Sequence, residues 1–162
     1  DSKLVSEKRR PDVALRAAAW VQASAVGWAS AAEVDAGGIM RALGLAASRA
    51  IDGVVAQGAA LERTLVILDG NHDYVSRVHA VPLQVRSVVK GDRDCASVSA
   101  ASVIAKVARD TYMAELHADH PLYQWDRNKG YASAEHRAAI RSGGLSPFHR
   151  ASWAIADAPT LF

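Results

Sequence analysis

A chain of 162 residues, half of them apolar, is long enough to bury one core and too apolar to stay disordered. Its 19 basic residues face 17 acidic ones, and the balance of +2 is too even to argue nucleic-acid binding by itself. A single cysteine, Cys95, excludes an internal disulfide framework, and no apolar run is long enough to span a membrane. A reducing, cytoplasmic setting is the simplest expectation. The start, Asp1-Ser2-Lys3-Leu4, has neither an initiator Met nor the apolar core of a secretory signal, so the chain reads as processed or cut.

Residues 11–22 are alanine-rich and apolar-periodic, which predicts a helix with Pro11 in its first turn. Residues 23–29 are a weak strand candidate carrying Trp28. Ser30 and Glu33 have the spacing of a capping box. They open a helical region that Gly37-Gly38 interrupts before residues 39–57 resume it. Residues 64–68 and 85–89 are short β-branched and aliphatic runs, read as buried strands. Residues 97–117 read as a long helix, with Val98, Ala101, Ala105, Ala108, Tyr112 and Leu116 spaced as a buried face. Residues 133–141 form a shorter helix with Ser133 as its N-cap. Strands alternating with helices give an α/β fold in a single domain, 1–162, whose C-terminal part from about 119 onward is helical.

Two acids sit where such folds place ligands. Asp69 ends the run Leu65-Val66-Ile67-Leu68, with Gly70 and Asn71 following it. Asp92 lies in the turn Lys90-Gly91-Asp92 after the second run. Either acid could be a turn residue bonding its own loop. Together, at adjacent strand ends, they could share a hard divalent cation with open positions for phosphate. Asp94 is the blander acid, suited to a helix N-terminus. Lys106, on the long helix, is either an exposed lysine or a phosphate contact. Lys129-Gly130-Tyr131 follows an aromatic-bearing loop. Its ring either packs at the domain edge or meets a sugar or base, where a 2′-OH would separate RNA from DNA. The six histidines show no zinc spacing with cysteine and read as surface or packing residues, and Cys95 reads as a small packed residue.

These motifs, in this order, resemble those of bacterial ribonuclease HII, the type 2 ribonuclease H. The resemblance is carried by Asp1-Ser2-Lys3 with the stretch to Arg10, Leu68-Asp69-Gly70-Asn71, Lys90-Gly91-Asp92 with residues 99–110, Lys129-Gly130-Tyr131 with His136, and His149-Arg150-Ala151-Ser152-Trp153. It spans nearly the whole chain, with residues 17–63 carrying little of it. It implies a ribonuclease H-like fold, a mixed central sheet flanked by helices. It also implies an endonuclease using Mn²⁺ or Mg²⁺ that yields 5′-phosphomonoesters. Such an enzyme cleaves the RNA strand of RNA–DNA hybrids and nicks duplex DNA 5′ to embedded ribonucleotides, as in primer removal and ribonucleotide excision repair.

By that resemblance Asp69 and Asp92 are two of four catalytic, metal-holding carboxylates. Tyr131 senses the 2′-OH junction, and Lys3, Lys106 and Lys129 are substrate contacts. The expected partners are hybrid and ribonucleotide-containing duplexes, with no membrane, and a monomer when full length. The family's adjacent Asp-Glu pair and its Gly-Arg-Gly loop do not occur in this sequence. The expectation is therefore of a chain lacking the first strands and inactive alone. The alternative is a non-catalytic nucleic-acid-binding remnant of the fold.

Overall fold

The two apolar runs make the sheet. The computed structural model describes residues 1–153. In it, β1 (Leu65–Asp69) and β2 (Gln84–Val88) pair in parallel, with Leu65 opposite Gln84 and Asp69 opposite Val88. The Gly70 N–H donates to the Val88 carbonyl at 2.9 Å and extends the ladder by one rung. Parallel strands need a long crossover, and residues 70–83 supply one without a helix. It is pinned by fully buried Val75 and by the Asp73 carboxylate, which accepts from the Val75 and Ser76 N–H groups at 3.0 and 2.9 Å. Among the described residues the sheet has these two strands only and is purely parallel. The mixed sheet that the resemblance implies is not seen among the described residues.

Helices make up most of the remaining chain. They are α1 (Arg10–Trp20), α2 (Ala31–Val55), α3 (Gly91–Asp94), α4 (Ala96–Asp119), α5 (Trp125–Asn128) and α6 (Ala134–Gly143). The capping box forms: the Glu33 N–H donates to Ser30 Oγ at 3.2 Å, and the Ser30 N–H donates to Glu33 Oε2 at 2.9 Å. Gly38, at φ 76° and ψ 166°, breaks α2 where the glycine pair predicts a break. Ser133 caps α6 through the His136 N–H at 3.2 Å.

Two expectations need correction. Residues 23–29 are not a strand, because β structure requires a ladder and no partner strand lies beside them among the described residues. Side chains of α2 and its C-terminal turn take the partner's place. The Gln57 amide donates to the Ser24 carbonyl at 2.8 Å and accepts from its N–H at 3.4 Å, while Arg49 donates to the Trp28 carbonyl at 2.5 Å. The long helix also buries a different stripe. Val98 is buried as expected, but Ala101 and Ala105 are exposed and Tyr112 is 39% exposed. Ala100 and Val103 are covered instead. The partner decides this: α1 packs on α4 beside Ala96, Ala100 and Val103. A 3.6-residue period shows that a stripe exists but not which side a neighbour covers.

The C-terminal part has its own small core. Tyr123, Trp125, Ala139 and Ile140 pack against Met113 and Leu116 of α4, and the rings of Tyr123 and Trp125 stack at 5.0 Å. Residues 154–162, the end of the expected C-terminal helical part, lie outside the described residues. No described helix is long and apolar enough to cross a membrane.

Candidate functional site

The parallel register brings the two strand-end acids to one rim. Asp69 is the last residue of β1, and Gly70, at φ 98°, turns the chain away from the sheet. Beyond Val88, Lys90 adopts the left-handed conformation (φ 59°), unusual for a residue with a Cβ, and its carbonyl accepts from the Arg93 and Asp94 N–H groups at 3.0 and 3.2 Å. That turn swings Asp92 back over the strand ends. Gly91 between them is buried, and a Cβ placed there would lie 3.6 Å from Asp69 Oδ1. Asp69 and Asp92 line the same hollow of about 520 Å³, with Tyr74, Ser97 and Ser102 around them. Burial, and then the negative charges of Asp69 and Asp73, raise the Tyr74 hydroxyl above its ordinary pKa, so it is a neutral donor facing the acids.

The Asp-Ser-Lys segment docks on the same corner. The Asp1 backbone nitrogen meets the Asp92 carbonyl and, at 3.3 Å, Ser99 Oγ. The Ser2 N–H donates to Ser102 Oγ at 3.4 Å, and Arg93 reaches the Asp1 carboxylate at 3.4 Å. Lys3 is exposed beside this contact, with its N–H donating to Asp1 Oδ1 at 2.9 Å.

From the acids a track runs along α4 at three- and four-residue spacing through Ser102, Lys106 and Arg109. Lys106 is not a free surface lysine. Its ammonium lies 2.6 Å from Asp110 Oδ1 and 5.4 Å from the centre of the Tyr131 ring. The Arg109 guanidinium lies 5.3 Å from the same ring, and its Nη1 donates to the Lys129 carbonyl at 2.7 Å. Tyr131 is 61% exposed, with both cations close to its ring. Lys129 is in the left-handed conformation and its ammonium turns back onto the Asp126 carbonyl, so it shapes the loop and does not reach along the track. Gly130, at φ 78°, lies so close to α4 that a Cβ would meet Met113 Cε at 3.0 Å.

The structure thus gathers Asp69, Asp92 and Lys3 at one end of the track, and Lys106 and Tyr131 at the other. Sequence reasoning missed Tyr74 and Arg109, whose roles depend on contacts between distant segments. It also missed that His136 and His149, read as motif residues, are buried with their rings in contact. Cys95 is a half-buried free thiol at the start of α4. Among the described residues, no three His, Cys, Asp or Glu side chains gather as a metal cage. The donors present are two carboxylates with hard oxygens. That fits a Mg²⁺-like ion, which is commonly held by one or two carboxylates together with substrate phosphate.

The model of one protein family, ribonuclease HII, matches residues 1–156. A ribonuclease HII of Streptomyces avermitilis is 47% identical over 158 residues, covering 98% of this chain and 64% of the relative. Another, from Nitrosomonas europaea, is 40% identical over 158 residues, covering 95% of this chain and 67% of the relative. The chain thus spans just under two thirds of the length of its Streptomyces relatives. Among solved structures, the ribonuclease H2 of Pyrococcus horikoshii shares the fold with a TM-score of 0.67 at 20% identity, covering 96% of this chain and 77% of that one. A family model matched along nearly the whole length, and relatives at this identity, make the chain a member of the ribonuclease HII family.

Proposed function

We infer that the protein carrying this chain is a metal-dependent endonuclease that cuts RNA in RNA–DNA hybrids and nicks duplex DNA 5′ to embedded ribonucleotides. The observation that carries this reading is the shared hollow of Asp69 and Asp92, with Tyr131 at the far end of the same α4 track. Ser102 and Arg109 are seven residues apart, which at 1.5 Å per residue is about 10 Å, or roughly three nucleotide steps along one strand. A duplex strand with its phosphate at the acids would therefore run along this helix toward the Tyr131 ring.

Asp69 and Asp92 would hold the Mn²⁺ or Mg²⁺ ion. When bound, the ion supplies Lewis-acid stabilisation of the charge that builds on the phosphate. The protein's own groups do the rest. Tyr74 donates a hydrogen bond into the hollow, Lys106 places positive charge beside the track, and Tyr131 packs against the ribose. Lys3 extends the positive rim near Asp92, and Lys129 sets the loop that presents Tyr131. The substrates proposed are hybrid and ribonucleotide-containing duplexes, handled by a cytoplasmic monomer in primer removal and ribonucleotide repair.

Two carboxylates are too few for a pair of metal ions, so the 162 residues by themselves are proposed not to cut. The same count supports the second reading, a nucleic-acid-binding module without chemistry. The test is a duplex with one ribonucleotide, Mn²⁺ and the protein as encoded. Nicking that disappears in Asp69→Asn is expected. Binding that falls steeply with salt, without any metal-dependent cut, would favour the second reading instead.

A further inference from the structure

Behind Tyr131 lie two buried histidines that the reaction does not use. His136 is 2% exposed and His149 7% exposed. The direction of their hydrogen bonds fixes where the protons are. The Ser146 N–H points at His149 Nδ1 at 2.9 Å, so that nitrogen accepts and carries no proton. The neutral His149 ring then holds its proton on Nε2 and donates it to His136 Nε2, 3.0 Å away. Trp125 Nε1–H converges on the same His136 nitrogen at 3.2 Å. With Nε2 accepting, His136 carries its proton on Nδ1 and donates to the Tyr131 carbonyl at 2.9 Å. One tautomer of each neutral ring accounts for these contacts, with the single lone pair of His136 Nε2 shared between its two donors.

We propose that His136 and His149 are positioning residues for Tyr131, a neutral relay that fixes the backbone of that residue and lets it go when either ring gains a second proton. This rests on the reading of Tyr131 as the ribose contact. A proton added at His136 Nε2 would set N–H against N–H at the 3.0 Å contact and leave Trp125 without an acceptor. A proton added at His149 Nδ1 would confront the Ser146 N–H, leaving only Ser146 Oγ, 2.8 Å away, to accept it. Either event costs the relay a bond at rings that are almost fully buried.

The surroundings oppose protonation. Arg109 from α4 and Arg150 from the C-terminal loop line the hollow shared by Tyr131, His136 and His149, and no acidic side chain among the described residues lines it. His120, at the end of α4, lies against Trp125 with ring centres 5.6 Å apart. Tyr123 is edge-on to His149 at 4.6 Å, and Glu135 and Arg137 flank His136 in sequence on α6. Burial first, and then the positive charges that His136 and His120 would carry, hold the His149 ring below its ordinary pKa.

The test uses the protein as encoded. Nitrogen-15 spectra of the imidazoles at pH 7 should show His136 as the Nδ1–H tautomer and His149 as the Nε2–H tautomer. On acidification the Tyr131 carbonyl carbon shift should move with His136. His136→Ala should nick a single-ribonucleotide duplex about tenfold more slowly, one hydrogen bond's worth, through kcat rather than KM. His136→Asn keeps a donor toward the carbonyl but cannot titrate. It should recover most of the rate and lose the acid limb of the pH profile that the parent shows. The relay is overturned if both rings are ordinary Nε2–H tautomers titrating independently, or if His136→Asn keeps the parent's acid limb. If no duplex is cut, the nuclease reading fails, and the spectra alone still decide whether the relay exists.

Discussion

Asp69 Oδ1 lies 3.6 Å from where the Cβ of a side chain replacing Gly91 would sit, so a methyl group there would touch the first acid without displacing it. That Cβ would also meet Val88 Cβ at 3.5 Å and Val98 Cγ1 at 3.6 Å, both ordinary contacts. Gly91→Ala should therefore fold as well as the parent, or gain up to about 1 kcal/mol from a stiffer unfolded chain. The methyl group makes only an ordinary contact with the Asp69 carboxylate, so Mn²⁺ affinity measured by calorimetry should stay within about twofold of the parent's. A loss of about tenfold would show that the acid needs more room than this structure gives it.

Asp69→Asn and Asp92→Asn remove charge without removing volume. Cleavage of a ribonucleotide-containing duplex should drop by more than about a hundredfold in each, since even outer-shell changes at metal sites cost about 10- to 100-fold. Circular dichroism should be unaltered for Asp69→Asn, because that side chain is exposed at a strand end.

Gly27 tests the seat of the segment that expectation made a strand. A Cβ there would lie 1.9 Å from the Ala46 carbonyl oxygen and 2.6 Å from the Ala50 nitrogen, both backbone atoms of α2. Gly27→Ala should cost about 3 kcal/mol, read as a lowered urea midpoint at constant slope. Gly58→Ala is the contrast. It has open space but a φ of 100°, so only backbone strain of about 1 kcal/mol applies.

Acid should loosen the start of α2. Arg49 first, and then Ser30, hold the Glu33 carboxyl down to about 2 from an ordinary 4.5. Ser152 holds Asp35 below the usual carboxylate range. A carboxyl depressed in the folded state binds its proton more readily when unfolded. Its contribution is therefore complete above the ordinary value and fades as pH falls through the folded one. Thermal melts should weaken from about pH 4.5 toward pH 2, and Glu33→Gln should flatten that slope. An identical slope in the variant would mean that the pair contributes nothing.

Features set by local chemistry were readable from the residues. Acids closing apolar runs marked Asp69 and Asp92, the Ser30 and Ser133 caps marked helix starts, and Gly37-Gly38 marked the break in α2. Features set by distant partners were not. Residues 23–29 have strand composition, yet a strand exists only where a ladder does. The covered stripe of α4 was chosen by α1. Lys129, a substrate contact by resemblance, turns its ammonium onto the carbonyl of Asp126, a contact that its motif does not announce. The histidine relay joins residues 125, 131, 136, 146 and 149 through ring and backbone atoms, and no spacing rule announces it.

The pairing of Asp69 with Val88 also makes the short interval from Val88 to Asp92 a ruler. One extra residue there would turn the second acid by about 100° about its helix and aim it out of the groove, while the sheet stayed intact. The crossover of residues 70–83 sets no such distance. Length differences among relatives should therefore collect in the crossover, with the tetrapeptide after β2 kept at constant length.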